Sequence, residues 1–317
     1  MAAFVPDAAA RTRIRRRVLD WYRRSARSLA FRGTSDPWAI LVSEVMAQQT
    51  QAARAAEAWT RFMASYPTPA ALAAASAADA LRAWRGLGYN RRAIALQRAA
   101  GAIVDEHGGM VPADLEALRR LPGIGPYSAR AVAALAFGRR VGAVDTNVRR
   151  VLGRAFFDEL PDAPALQELA DAMVPRQRPG LWTHALMDIG ATLCRIRAPR
   201  CDACPLRSSC VHAATPALPA AMKRPGPVAR REPAFAASSR WLRGRILDRL
   251  RDLDDGAWLA FGEGIGGHDT AAVAAALRNL AGEGLLEVRA GAAPPEARLP
   301  AGKEGSRPAG AGLRFRA

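Results

Sequence analysis

The sequence predicts an all-α protein carrying a small winged-helix-like unit at its C-terminal end. Three observations support this. Residues 8 to 212 are rich in Ala, Leu and Arg, with turn signals at intervals typical of helices. A proline-rich stretch interrupts that pattern, and beyond it two helical segments precede short extended pieces.

Taken in order, Asp36-Pro37 opens the first clearly signalled helix, with an N-cap followed by proline at the first helical position; it carries Ile40, Leu41, Val45 and Met46. Further helices are predicted over 70–84, 91–104, 113–120, 127–137, 148–157 and 164–173. Pro164 opens the last of these, where its missing N–H is harmless. Pro216, Pro219, Pro225, Pro227 and Pro233 mark 213–237 as a semi-rigid linker. Residues 238–300 offer helices over 240–250 and 269–281, a strand at 285–288 and an extended piece at 297–299. Residues 301–317 are read as a disordered tail.

The chain has 317 residues, of which 50% are hydrophobic and 24% charged, a globular rather than a disordered composition. The longest apolar run near its centre, Ala131 to Phe137, is too short to span a bilayer, and the basic N-terminus lacks a signal-peptide pattern. A soluble cytoplasmic protein is expected. Forty-six Lys and Arg against 29 Asp and Glu leave a net charge of +17, which favours a polyanionic partner such as nucleic acid. The lysines are Lys223 and Lys303, so no lysine nucleophile exists in the first two thirds of the chain.

All four cysteines, Cys194, Cys201, Cys204 and Cys210, lie in one seventeen-residue window. In an intracellular chain such thiols remain reduced, and four of them bind a metal or a cluster. Zinc more often takes two C-x2-C pairs, and here there is one; the spacing leaves zinc and a [4Fe–4S] cube both open and leans to the cube. The run Leu121-Pro122-Gly123-Ile124-Gly125 between two helices gives a tight turn whose free amides, with the next helix's dipole, form a phosphate clamp at Gly123 and Gly125. Gly86-Leu87-Gly88-Tyr89 faintly echoes it. Asp145 precedes an apolar-faced helix, where a carboxylate is a good N-cap. Glu44 shares a helical stripe with Ile40, Leu41 and Ala47. It is either a surface residue at the edge of that stripe or a buried acid of raised pKa.

These motifs together resemble the endonuclease III and adenine glycosylase superfamily of DNA repair enzymes, over residues 15 to 212. The resemblance implies a helix-hairpin-helix DNA glycosylase fold, a six-helix barrel module plus an iron–sulfur module, over 8–212. It further implies a [4Fe–4S] cluster on the four cysteines, with Arg195, Arg197 and Arg200 on a loop facing DNA phosphates. The seventh hairpin residue, a lysine in strand-cutting members, is here Tyr127, which implies a glycosylase that does not cut the strand. The stretch Ile40 to Gln51 resembles the enzymes that remove adenine opposite 8-oxoguanine. By that resemblance Glu44 is the general acid and Asp145 stabilises the cationic transition state. Tyr127 lines the pocket and Asn147 contacts the DNA backbone. Gln49 wedges into the base stack, Tyr89 inserts beside the lesion, and Arg32 and Asp188 read the adenine edge.

The sequence departs from the family pattern at Phe31, Ala47 and Asn90, where tryptophan, leucine and tyrosine are usual. No segment resembles the pyrophosphohydrolase-like domain that most members carry. The partner implied is mispaired double-stranded DNA in a bacterial nucleoid, bound by a monomer away from any membrane. Two alternatives remain: a glycosylase for another mismatched base, and a non-catalytic DNA-binding protein with a four-cysteine zinc site.

Overall fold

A computed structural model describes residues 5–159, 161–214 and 235–300. The expected linker falls mostly, and the expected tail wholly, outside the described residues. None of the described helices is long and apolar enough to cross a membrane.

The helices in chain order are α1 (Ala8–Ser25), α2 (Pro37–Ala47), α3 (Ala52–Ser65), α4 (Pro69–Ala73), α5 (Ala77–Ala83), α6 (Arg91–His107) and α7 (Leu115–Arg120). They continue with α8 (Pro126–Ala136), α9 (Thr146–Phe156), α10 (Ala163–Met173), α11 (Pro179–Asp188), α12 (Val211–Ala214), α13 (Ser239–Arg251) and α14 (Thr270–Gly282). Local chemistry places most of their starts. Asp7, Asp36, Asp114, Asp145, Asp162 and Asp269 each accept a hydrogen bond from an amide of the helix they open. The single helix expected over 70–84 is two, α4 and α5. Ser76 caps α5 by accepting from the Asp79 amide, which sets a new helix start inside the apolar pattern.

The chain forms two compact units, neither continuous in sequence: residues 1–56 with 111–230, and residues 57–110 with 231–317. In the first, α1 packs on α11, and α8 packs on α2, α7 and α11. Val18, Leu152, Leu169, Met173 and Trp182 form the centre of a core that Cys194, Cys204 and Cys210 border. The hairpin joins α7 to α8. Gly123 has φ +79, the Ile124 amide donates to the Leu121 carbonyl, and Pro126 opens α8.

In the second unit α6 packs on α4 and α5, and α13 packs on α14 and on α5. Its sheet has three antiparallel strands, one more than the expected strand and extended piece: β1 (Leu259–Ala260), β2 (Glu287–Val288) and β3 (Glu296–Arg298), in the order β1-β3-β2. β1 lies in the Gly-rich connection, where two residues are too few for alternation to show. The C-terminal segment is thus joined to 57–110 in one body, with buried Arg251 as its peg. Its Nε donates to the Leu81 carbonyl at 2.9 Å, one terminal nitrogen to Asn90 Oδ1 at 2.7 Å, and the other to Asp248 at 2.9 Å. Arg85 pairs with Asp252 and Arg82 with Asp255 beside it.

Candidate active site

Glu44 has no polar side of α2 to occupy. Every residue from Trp38 to Met46 is buried, so this helix is enclosed on all sides and its one carboxyl is enclosed with it. The surface alternative read from sequence is excluded. Burial pushes Glu44 up to about 7. A hydrogen bond from the Tyr127 hydroxyl to Oε2, at 3.1 Å, opposes the shift, the charge of Asp145 reinforces it and that of Arg32 opposes it. Tyr127 stands on α8, which packs against α2. Burial and the neighbouring Glu44 hold its phenol well above the usual range, so it remains a donor.

Asp145 caps α9. One oxygen accepts from the Val148 amide at 2.6 Å and the other from Asn147 Nδ2 at 3.1 Å. The Asn147 carbonyl oxygen in turn accepts from Arg150 at 2.8 Å. Asn147 was expected on the DNA backbone; here both ends of its amide are engaged within the protein, and it orients Asp145. Arg150 also donates to the carbonyls of Gly190 and Cys194, each at 2.6 Å. Gly190 is required for this contact, because a Cβ there would lie 2.5 Å from Asn147 Cβ.

Arg32 and Asp188 meet as a buried, two-pronged ion pair, with N···O distances of 2.6 and 2.7 Å. Asp188 also accepts from Arg27 Nε at 2.6 Å and from the Arg27 amide at 3.0 Å. Burial works to raise its pKa, but the Arg32 and Arg27 hydrogen bonds and charges prevail and hold it below the usual carboxylate range. Asp188 is fully buried and engages both Arg32 and Arg27, so in this structure it holds Arg32 in place. Arg32 Nε is buried and has no hydrogen-bond partner among the described residues, leaving one directed donor for a ligand.

Sequence reasoning missed Arg27, Tyr22 and His184. Tyr22 accepts from Arg32 at 3.3 Å. Burial and the Arg32 charge push His184 down to about 3, so it is neutral at pH 7. Their roles depend on Asp188, which lies 161 residues along the chain from Arg27.

Gln49 and Tyr89, the two expected wedge residues, lie in different units but share a backbone feature. Both are exposed and both have positive φ, +53 and +45, which side-chain-bearing residues rarely adopt. Gly123 and Gly125 are exposed at the hairpin, as a phosphate clamp requires.

The four cysteines are free of disulfides and line one cavity with Val151, Ile189, Leu193 and Leu206. Burial pushes the Cys204 thiol up to about 11, opposed by the Leu206 amide and reinforced by the other three sulfurs. Arg154 brackets the site. It donates to Cys194 Sγ at 3.6 Å and to the carbonyls of Arg195 and Ile196, and its carbonyl accepts from the Cys210 thiol. Its Nε is buried without a partner among the described residues. Among the described residues no group of three or more His, Cys, Asp or Glu is placed to hold a single metal ion. Four thiols rimming one cavity suit a larger group bridging all of them.

Comparison with known proteins agrees with this fold. Residues 42–176 match the HhH-GPD superfamily of base excision DNA repair proteins. An adenine DNA glycosylase of Mycobacterium tuberculosis is 43% identical over 286 residues, spanning 85% of this chain and 88% of its own length. Among solved structures, a thermostable thymine-DNA glycosylase aligns with TM-score 0.60 at 28% identity, covering 66% of this chain and 99% of its own. An endonuclease III trapped covalently on DNA aligns with TM-score 0.56 at 26% identity, covering 64% and 97%. The chain belongs to the HhH-GPD superfamily of base excision DNA repair proteins, and within it to the adenine DNA glycosylase family.

Glu44 also makes stability depend on pH in a definite direction. Its pKa is about 7 in the fold against 4.5 for an ordinary glutamate, so between these values the folded chain binds the extra proton. Stability therefore falls as pH rises through that window. Glu44→Gln removes this contribution. Urea denaturation at pH about 5 and about 8 should show wild type losing on the order of 3 kcal/mol more than the variant. The depressed His184 acts equally on both proteins and cancels. Parallel pH profiles would contradict the burial argument.

Proposed function

We propose that this chain hydrolyses the N-glycosidic bond of adenine mispaired with 8-oxoguanine or guanine in double-stranded DNA, leaving an abasic site. One observation supports this above the others: a carboxyl titrating near neutrality, hydrogen-bonded to Tyr127 and under the influence of Asp145's charge. Adenine leaves poorly until a ring nitrogen is protonated, and a group poised near pH 7 can both hold and deliver that proton. The adenine must first leave the base stack. Glu44 then protonates it as the glycosidic bond breaks, Asp145 stabilises the cation developing on the sugar, and water completes the hydrolysis. Arg32, braced by Asp188, offers its unpartnered Nε to the base. Gln49 and Tyr89 fill the emptied stack, and Gly123 and Gly125 hold the backbone.

Cys194, Cys201, Cys204 and Cys210 are the residues that would hold a [4Fe–4S] cluster, which supplies a rigid cross-link to the loop from 194 to 210. The enzyme acts as a monomer, in the cytoplasm and on the nucleoid.

The direct test is single-turnover excision on duplexes bearing adenine opposite 8-oxoguanine, guanine, cytosine or thymine. Glu44→Gln should slow excision at least about 100-fold while DNA binding persists. Wild-type rates in that variant would remove Glu44 as the acid, and equal rates on all four duplexes would remove the mispair specificity.

Strand cutting gives an independent check. An amine is needed to form the imine that drives β-elimination, and Tyr127 provides none. Borohydride should trap only a trace of covalent complex, and strands should break only after hot alkali. Efficient trapping mapped within residues 8–212 would overturn the monofunctional reading.

The cluster is checked optically. The purified protein should be yellow-brown, and Cys204→Ser should lose that absorption and weaken DNA affinity. A protein that stays colourless after reconstitution with iron and sulfide, yet is fully active, would count against a cluster.

A further inference from the structure

The second unit exposes an arginine whose contacts are with aromatic rings rather than with a carboxylate. On α13, Arg243, Arg245 and Arg251 each pair with a carboxylate, Glu283 for the first and Asp248 for the other two. Arg240, exposed on the same helix, has no ion pair or hydrogen bond among the described residues. Its contacts are with aromatic rings: the guanidinium carbon lies 4.4 Å from the centroid of Tyr89 and 5.9 Å from that of Phe235. Tyr89 is 41% exposed and Phe235 64%, so this stack is open to solvent.

The Tyr89 turn is held from beneath. Trp84 Nε1 donates to the Gly88 carbonyl at 3.1 Å, and Arg92 donates to the carbonyls of Leu87 and Gly88 at 3.1 and 3.2 Å. The Arg92 guanidinium also lies 5.6 Å from the Tyr89 ring. The tyrosine is thus kept at φ +45 by its own turn, while Arg240 comes from a segment far along the chain. A guanidinium stacked by its flat face keeps its N–H edge available, and that edge suits phosphate or base oxygens.

We propose that Arg240 and Tyr89 enter DNA together as one stacked wedge, with Tyr89 supplying the ring and Arg240 donating to an acceptor oxygen of the nucleic acid. The C-terminal unit thereby contributes a DNA-contacting residue rather than serving as a passive appendage. This rests on the reading of Tyr89 as a DNA-inserting residue. It adds a specific arginine, from beyond the helix-hairpin-helix segment, to that function.

The test uses the full chain carrying Glu44→Gln, so that the substrate persists, and measures duplex affinity by fluorescence anisotropy across a salt series. Adding Arg240→Ala should weaken binding about tenfold or more, with the melting temperature of the protein unchanged. If the acceptor is a phosphate, the slope of log affinity against log salt should become shallower by about one, and Arg240→Lys should restore the slope. If the acceptor is a base carbonyl, the slope should hold and the loss should depend on the base opposite adenine. Either pattern carries the proposal and identifies the source. Unchanged affinity in both Arg240→Ala and Arg240→Gln would overturn it, as would a loss fully matched by lowered thermal stability. Tyr89→Ala separates the two readings. Normal affinity and excision in that variant would sink the role of Tyr89, whereas a defect there without one at Arg240 would sink this proposal alone.

Discussion

The burial of Glu44 sets the terms for the rest of the site. A carboxyl on a helix buried on every side resists ionisation, and in the proposed reaction the proton it retains goes to the leaving purine. The surrounding groups limit that resistance without abolishing it. The Tyr127 hydrogen bond and the charge of Arg32 favour the charged form against burial and Asp145, so the acid titrates near neutrality rather than far above. Asp188 holds Arg32 together with Arg27, so the guanidinium that weakly opposes the Glu44 shift keeps a fixed place.

The cysteine loop and Asp145 are mechanically connected. Arg150 bonds the carbonyls of Gly190 and Cys194 on one side and the Asn147 amide on the other, and Asn147 bonds Asp145. A shift of the loop therefore reaches Asp145 through three rigid hydrogen bonds. The absent side chain at Gly190 lets the backbones approach closely enough for this to exist.

The large arginine excess is divided between binding and architecture. Arg15 ties α1 to the end of α10 through the carbonyls of Ala172, Met173 and Val174, Arg130 bonds Asp171 and the Gly142 carbonyl, and Arg251 pins the C-terminal unit. A planar group with five donors can satisfy several carbonyls at once, which an ammonium group on a flexible stem does less well. The net charge of +17 thus overstates how much of the basic surface is free for DNA.

What the sequence by itself determined is what depends on neighbours within a few residues. The aspartate caps, the Leu121–Gly125 hairpin, the cysteine spacing and the absence of lysine before residue 223 were all legible there, because a cap bond or a tight turn is closed over three or four positions. Local reading failed at Ser76, where a cap inside an apolar pattern split a helix, and at two-residue β1, which is too short to carry a period. Tertiary structure alone decided whether Glu44 was buried, since a helix apolar on every side has no periodicity to point inward. It also decided that Asp188 grips Arg27 and Arg32, and that Asn90 serves Arg251. Those partners are separated by more than 150 residues of chain, and only the packing of the helices brings their charges within bonding distance.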